Sequence, residues 1–297
     1  MPRELKPVVT GMSYMEGPRW HDGRMWFSDF YTHRVYSVNE DGSDQRVELE
    51  VPNQPSGIGW LPDGSLVAVS MRDRKILRRT PNGEVVVHAD LSDHVTGHPN
   101  DMVVDNKGRI YVGNFGFDLM GGAPVSPTVL LRVDLDGSVH EVADDLWFPN
   151  GSVITPEGVL IVNETMGNRA TAFDIAEDGS LTNRREWFKF AELPTETYVA
   201  DGIDAGQYPC GPDGSCLDAE GGLWIADAMN GRVLRVLEGG EVTEEIDPGT
   251  GVFACGLGGA DGKTLYLCTA PDFFEDKRSA AREAVLMATK VDVPAAT

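Results

Sequence analysis

Six short glycine turns divide this chain at the period of a propeller blade. Each is an Asp-Gly, Lys-Gly or Glu-Gly type of turn joining two apolar, strand-like runs, and the glycines are Gly23, Gly64, Gly108, Gly158, Gly221 and Gly262. Their spacings of 41, 44, 50, 63 and 41 residues lie near the forty-odd-residue repeat of propellers and far from helical-repeat signatures. After each turn comes a short run rich in β-branched, aromatic or leucine residues, such as Arg24 to Ser28, Ser65 to Ser70, Arg109 to Gly113, Val159 to Asn163 and Gly222 to Ala226. A third run follows in most units, for example Arg34 to Val38, Lys75 to Arg79 and Arg232 to Leu237, then another turn and a fourth run. The expected fold is therefore all-β: a six-bladed β-propeller with four antiparallel strands per blade and a site at its centre.

Closure of the ring is also readable. Only 35 residues follow Gly262, room for about three strands of the last blade, so Lys6 to Thr10 is expected to supply the outer one. The length of 297 residues would allow two domains, but a closed ring is one unit, and residues 1–297 are read as a single domain. Two stretches depart from the period, Phe117 to Thr128 and Phe188 to Cys210. Each either shapes a binding face or decorates the solvent side.

Composition narrows the partners. A formal charge of -22 disfavours nucleic acid and anionic membrane, which need a basic patch. No apolar run reaches the roughly 20 residues of a bilayer span, and MPRELKPVVT lacks the apolar stretch of a secretory signal, so a cytoplasmic location is expected. The four cysteines, Cys210, Cys216, Cys255 and Cys268, form no CxxC pair and read as free thiols. Oligomeric state is open between a monomer and a small homo-oligomer.

Counting seven or eight residues back from each glycine reaches Glu16, Ser56, Asn100, Asn150, Asp213 and Cys255. In a ring these equivalent positions meet at the axis. Four of them carry a carboxylate or carboxamide, and a neighbouring Pro and Gly aim the side chain and let the backbone crowd the centre. Any single Asn or Asp here could be a turn residue. Two carboxylates meeting without a cation would repel and raise one pKa, so the set points to one divalent hard cation, with calcium placed first and magnesium, manganese or zinc admitted.

The strings Met15-Glu16-Gly17-Pro18-Arg19-Trp20, Pro99-Asn100-Asp101-Met102, Phe148-Pro149-Asn150-Gly151, Thr171-Ala172-Phe173-Asp174-Ile175 and Pro212-Asp213-Gly214-Ser215-Cys216 resemble the gluconolactonase/regucalcin (senescence marker protein) family over essentially the whole chain. The resemblance implies a propeller with one catalytic divalent metal held by Glu16, Asn150 and Asp213, with Asn100 beside it as a further ligand or substrate contact and Asp213 as general base. It implies a small-molecule lactone as substrate. One departure stands out: where sugar-lactone members commonly carry an arginine two residues before the third-blade Asn, this chain has His98. His98 is either a substrate-binding or acid–base group or a loop histidine without a role. Phe115, Phe117 and Asp118 either wall the pocket or pack between blades.

The expected reaction is lactone hydrolysis, with the metal polarising the carbonyl and Asp213 deprotonating the attacking water. Two alternatives remain open at this stage. One is phosphotriester or fluorophosphate hydrolysis at the same site, with Asp213 as nucleophile; the other is a non-catalytic calcium-binding propeller. No GxSxG elbow is present, which disfavours a serine route.

Overall fold

The computed structural model describes residues 3–193 and 208–296. They form six four-stranded antiparallel sheets arranged as blades. The inner strands are Met15–His21, Pro55–Trp60, Pro99–Val104, Pro149–Ile154, Pro212–Leu217 and Val252–Gly258. Each abuts the next, and the last returns to the first, so the ring is closed.

Burial across a blade follows from this stacking. A second strand lies between neighbouring blades, has no solvent face, and so reads as an unbroken apolar run: Leu66–Ser70 and Leu223–Asp227 are buried throughout. Outer strands such as Val85–Asp90 and Val242–Ile246 are mostly exposed. Apolar side chains from adjacent blades merge into shared cores, as where Trp26, Val35, Ile58 and Leu66 join blades one and two. Tyr111, Leu130, Leu160 and Phe173 do the same between blades three and four.

The strand runs expected from sequence agree with the structure to within a residue or two, and Arg34–Val38 and Lys75–Arg79 coincide. The chain closes as expected: Lys6–Met12 pairs antiparallel with Ala284–Lys290 as the outer strand of the sixth blade, with Val9 opposite Leu286. A helix, Glu275–Ala281, was not expected; it lies between the second and third strands of that blade. Most of the second long departure, residues 194–207, lies outside the described residues. Among the described residues no helix is long and apolar enough to cross a membrane. All four cysteines are free, and Cys216 and Cys255, on neighbouring inner strands, bring their Sγ atoms to 4.0 Å.

Every inner strand carries a bulge near its start, where the pairing register shifts by one residue. In blades one, two, four and five a glycine stands there, and in blades two and four the next blade's backbone leaves no room for a side chain. A Cβ on Gly57 would sit 2.5 Å from the Met102 nitrogen, and one on Gly151 2.3 Å from the Asp213 carbonyl oxygen. The bulge turns the residue before the glycine toward the axis at the mouth of the tunnel.

Because closure depends on one short strand, a charge buried in that strand should loosen the whole ring. Val9 is 5% exposed, while its neighbour Thr10 faces solvent. Val9→Asp should cost roughly 3 kcal/mol or more, and Thr10→Asp less than about 0.5 kcal/mol, read as shifts of the urea midpoint.

Candidate functional site

The counted positions sit at the bulges of their inner strands, with one correction. In the sixth blade the equivalent position is held by Phe253, which sits between the paired residues Val252 and Ala254, as Ser56 does in blade two. Cys255 lies two residues further along the strand. The inner strand of this blade is one residue longer than those of blades two to five, so the equivalent position lies nine residues before Gly262, not the seven that reach Cys255.

Glu16, Asn100, Asn150 and Asp213 line one cavity of about 720 Å³ at the end of the ring where the inner strands begin. His98 and Phe115 line it too. Phe117 is buried against Phe148, with ring centroids 6.1 Å apart, and is a packing residue. Asp118 turns into its own loop, accepting a hydrogen bond from the Gly121 nitrogen at 2.9 Å. The rest of that loop is mixed: Leu119 and Met120 reach the cavity, although Met120 is 54% exposed.

The oxygen-bearing side chains are held from behind. Ser56 Oγ donates to Asn100 Oδ1 at 3.0 Å. Asn150 Nδ2 donates to Thr165 Oγ1 at 3.0 Å, and that hydroxyl donates onward to the Pro212 carbonyl at 2.9 Å. Tyr14 lies 3.4 Å from Glu16 Oε1 through its hydroxyl, and the Gly17 nitrogen donates to Oε2 at 3.3 Å. Asn163 Nδ2 donates to the Asp213 carbonyl at 2.6 Å and fixes the backbone there.

Electrostatically the pair of acids is under tension. Burial, and then the neighbouring Asp101 charge, push the Glu16 carboxyl up to about 8. Burial, and then the charges of Glu16 and Asp101, drive Asp213 well above its ordinary value. Asp213 Oδ1 is fully buried and has no hydrogen-bond partner. An acceptor-only oxygen left alone beside a second carboxylate is a place where a cation fits. The donors available, two carboxylates and two amides, are all oxygen and suit a hard divalent ion. Among the described residues no three His, Cys, Asp or Glu side chains cluster, so the amides of Asn100 and Asn150 are needed to complete any such set.

Deeper along the tunnel lies an ion pair that sequence reasoning passed over. Arg19 of blade one reaches past Gly57 to Asp101 of blade three, with Nη2 at 3.0 Å from both carboxylate oxygens and 3.1 Å from the Met102 carbonyl. The two residues stand next to known positions in their motifs, one after Asn100 and three after Glu16.

A second circle of residues was also missed, though the same repeat encodes it. Each second strand ends at an equivalent residue, Asp29, Ser70, Asn114, Glu164, Asp227 or Thr269, and all six are buried and polar. Three are acids that clamp the backbone entering their own inner strand. Asp29 accepts from the Tyr14 nitrogen at 2.8 Å, Glu164 from the Trp147 nitrogen at 2.9 Å and Asp227 from the Gly211 nitrogen at 2.9 Å. The one or two residues that follow each of the six line the cavity wall. Counting forward from the second strand would have found them.

The wall also holds a strained residue. Phe148 has φ of 59°, a left-handed conformation seldom taken by a bulky aromatic, and it packs on Phe115 with centroids 4.5 Å apart. Gln54, at the same place before a proline in blade two, has φ of 74°. His98 occupies this place in blade three; burial first, then the Arg74 and Arg72 charges, lower its pKa, which keeps the imidazole neutral near pH 7.

Breaking the Arg19–Asp101 pair should strand a charge. Asp101→Ala should lower stability by about 2 kcal/mol, less than for a fully buried pair because the Arg19 side chain is 20% exposed, and Asp101→Ala with Arg19→Met should recover at least half of that. A double-mutant cycle from urea melts measures it.

Residues 14–271 match the family described as SMP-30/Gluconolactonase/LRE-like region. The pentonolactonase of Haloferax volcanii is 29% identical over 269 residues, 89% of this chain and 84% of that protein. The 6-deoxy-6-sulfogluconolactonase of Pseudomonas putida is 27% identical over 316 aligned positions, covering 99% of this chain and 97% of its own length. The solved structure of a calcium-binding protein, regucalcin, from Agrobacterium tumefaciens superposes with a TM-score of 0.77 at 19% identity, covering 99% of this chain and 96% of that one. That likeness concerns the fold. The chain belongs to the SMP-30/gluconolactonase family.

Proposed function

We propose that this chain, as one domain over residues 1–297, is a divalent-cation-dependent hydrolase that opens lactones. The observation that carries the reading is the partnerless, buried Asp213 Oδ1 beside Glu16 in a cavity wide enough for a small ring. Two relatives named as lactonases support the reaction class. The regucalcin named as calcium-binding supports calcium as the first ion to try.

Glu16, Asn150 and Asp213 are the residues that would hold the cation, with Asn100 beside them as a further ligand or a substrate contact. When bound, the ion supplies Lewis-acid polarisation of the lactone carbonyl. The chain's own groups do the rest. Asp213 takes a proton from a water molecule as the water oxygen attacks the carbonyl carbon. The ring carbon–oxygen bond then breaks, and the departing alkoxide receives that proton from Asp213, giving the hydroxy acid. Thr165 keeps Asn150 oriented through its 3.0 Å bond, and Tyr14 steadies Glu16. His98 and Phe115 contact the substrate, His98 as a neutral hydrogen-bonding group.

The test is turnover of a lactone panel after chelation and after return of calcium, magnesium, manganese or zinc singly. Activity should vanish on chelation and return with at least one ion. Glu16→Gln should abolish the restoration, and Asp213→Asn should lower kcat by about a hundredfold or more. Turnover that persists in chelator would sink the reading.

A stability measurement checks the same set independently. In chelator, Asp213→Asn removes one of two repelling buried carboxylates and should raise the melting temperature by a few degrees. Adding the ion should stabilise the wild type and leave the variant unmoved.

A further inference from the structure

We propose that the substrate of this site carries an apolar alkyl or aryl substituent, and that polyhydroxylated sugar lactones are poor substrates; this rests on the lactone reading above and names its substrate class. The argument starts from what the cavity wall is made of. One side is aromatic, where Tyr14 packs on Phe30 at 4.9 Å and on Phe253 at 4.8 Å, and the opposite side is the Phe115–Phe148 pair at 4.5 Å. Between them the wall takes one thioether from each of three blades, Met71 directly after its second strand and Met166 and Met229 two residues after theirs. Thioethers and aromatic faces adapt to apolar groups and offer sugar hydroxyls almost no hydrogen bonds.

The polar groups in this wall are already committed to one another. Gln54 Oε1 accepts from Arg72 Nε at 2.9 Å, and Gln54 Nε2 points at Met71 Sδ at 3.3 Å. Arg72 Nη2 spends itself on Glu275 at 2.6 Å. The Tyr31 hydroxyl donates to the Phe273 carbonyl, Thr165 donates to Pro212, and Asp272 pairs with Arg278 at 3.1 Å. Among the described residues, that leaves His98 as the wall side chain with a polar edge and no hydrogen-bond partner, outside the Glu16, Asn100, Asn150 and Asp213 set. One such group can orient a ring but cannot satisfy the several hydroxyls of a sugar lactone. Each hydroxyl buried without a partner costs roughly tenfold in affinity. Each methylene placed against this wall gains about threefold.

The experiment compares kcat/KM for γ-lactones whose side chain lengthens from methyl to hexyl, an aryl-fused lactone, and glucono- and pentonolactones, all with the restored ion. The expected result is a rise of about threefold per methylene over the first few and a preference over sugar lactones of about a hundredfold or more. Met229→Gln, nearly isosteric, should flatten the rise with chain length. A flat alkyl series, or sugar lactones turned over best, overturns the proposal. The matching alkyl and sugar lactams, which are not hydrolysed, are titrated calorimetrically in parallel. If no lactone is opened but alkyl lactams bind with the same dependence on chain length, the hydrolase reading fails and the apolar specificity stands. If lactam binding shows no such dependence, the specificity falls whatever the turnover.

Discussion

Everything at the centre of this protein depends on the crowding of six inner strands around one axis. A closed ring gives equivalent positions no freedom to avoid one another, and the bulge near the start of each inner strand aims one side chain per blade at the same space. Glycine beside that side chain is what lets the strands approach, since a Cβ at Gly57 or Gly151 would run into the next blade's backbone. In blade three the glycine's place is taken by Asp101, and the cost of putting a carboxylate there is offset by Arg19 arriving from two blades away.

The same crowding concentrates charge. The Asp101 charge makes Glu16 and Asp213 costlier to ionise, Glu16 does the same to Asp213, and Arg19, paired with Asp101, partly answers Glu16 as well. The ring closure and the interblade cores must carry that unfavourable energy in the absence of a cation, which is why the sealing strand Lys6–Met12 bears on the site although it lies at the outer rim. In the reading proposed above, a bound cation would offset that cost.

The glycine turns made the blades legible because a two-residue hairpin leaves a mark that does not depend on tertiary context, and the second strands were legible because burial on both faces forces an unbroken apolar run. Glu16, Asn100, Asn150 and Asp213 followed from counting at fixed distance from those turns. Counting failed in the sixth blade, where a longer inner strand puts the axial position at Phe253, nine residues before the turn glycine, and not at Cys255, seven before it. The helix Glu275–Ala281 was not legible, since its seven residues show too little periodicity to stand out beside strands. Nor was the Arg19–Asp101 pair, because a contact between blades one and three depends on the ring having closed.

The cavity wall teaches a different point about repeats. Repetition fixes where a side chain points but not what it is, so the inner circle can hold polar groups while the residues after the second strands become Phe30, Met71, Phe115, Met166 and Met229. On the proposed function, the first circle is constrained by the charge of the cation and, in blades two and four, by the backbone packed against it. The second circle shapes the cavity wall and in blade four also holds the first, where Thr165 bonds Asn150; the buried polar residue just before it clamps its own blade in three cases, through Asp29, Glu164 and Asp227. In that same proposed reading, chemistry and specificity are thereby encoded in two adjacent registers of one repeat, and a change of substrate is met chiefly by substitutions in the second.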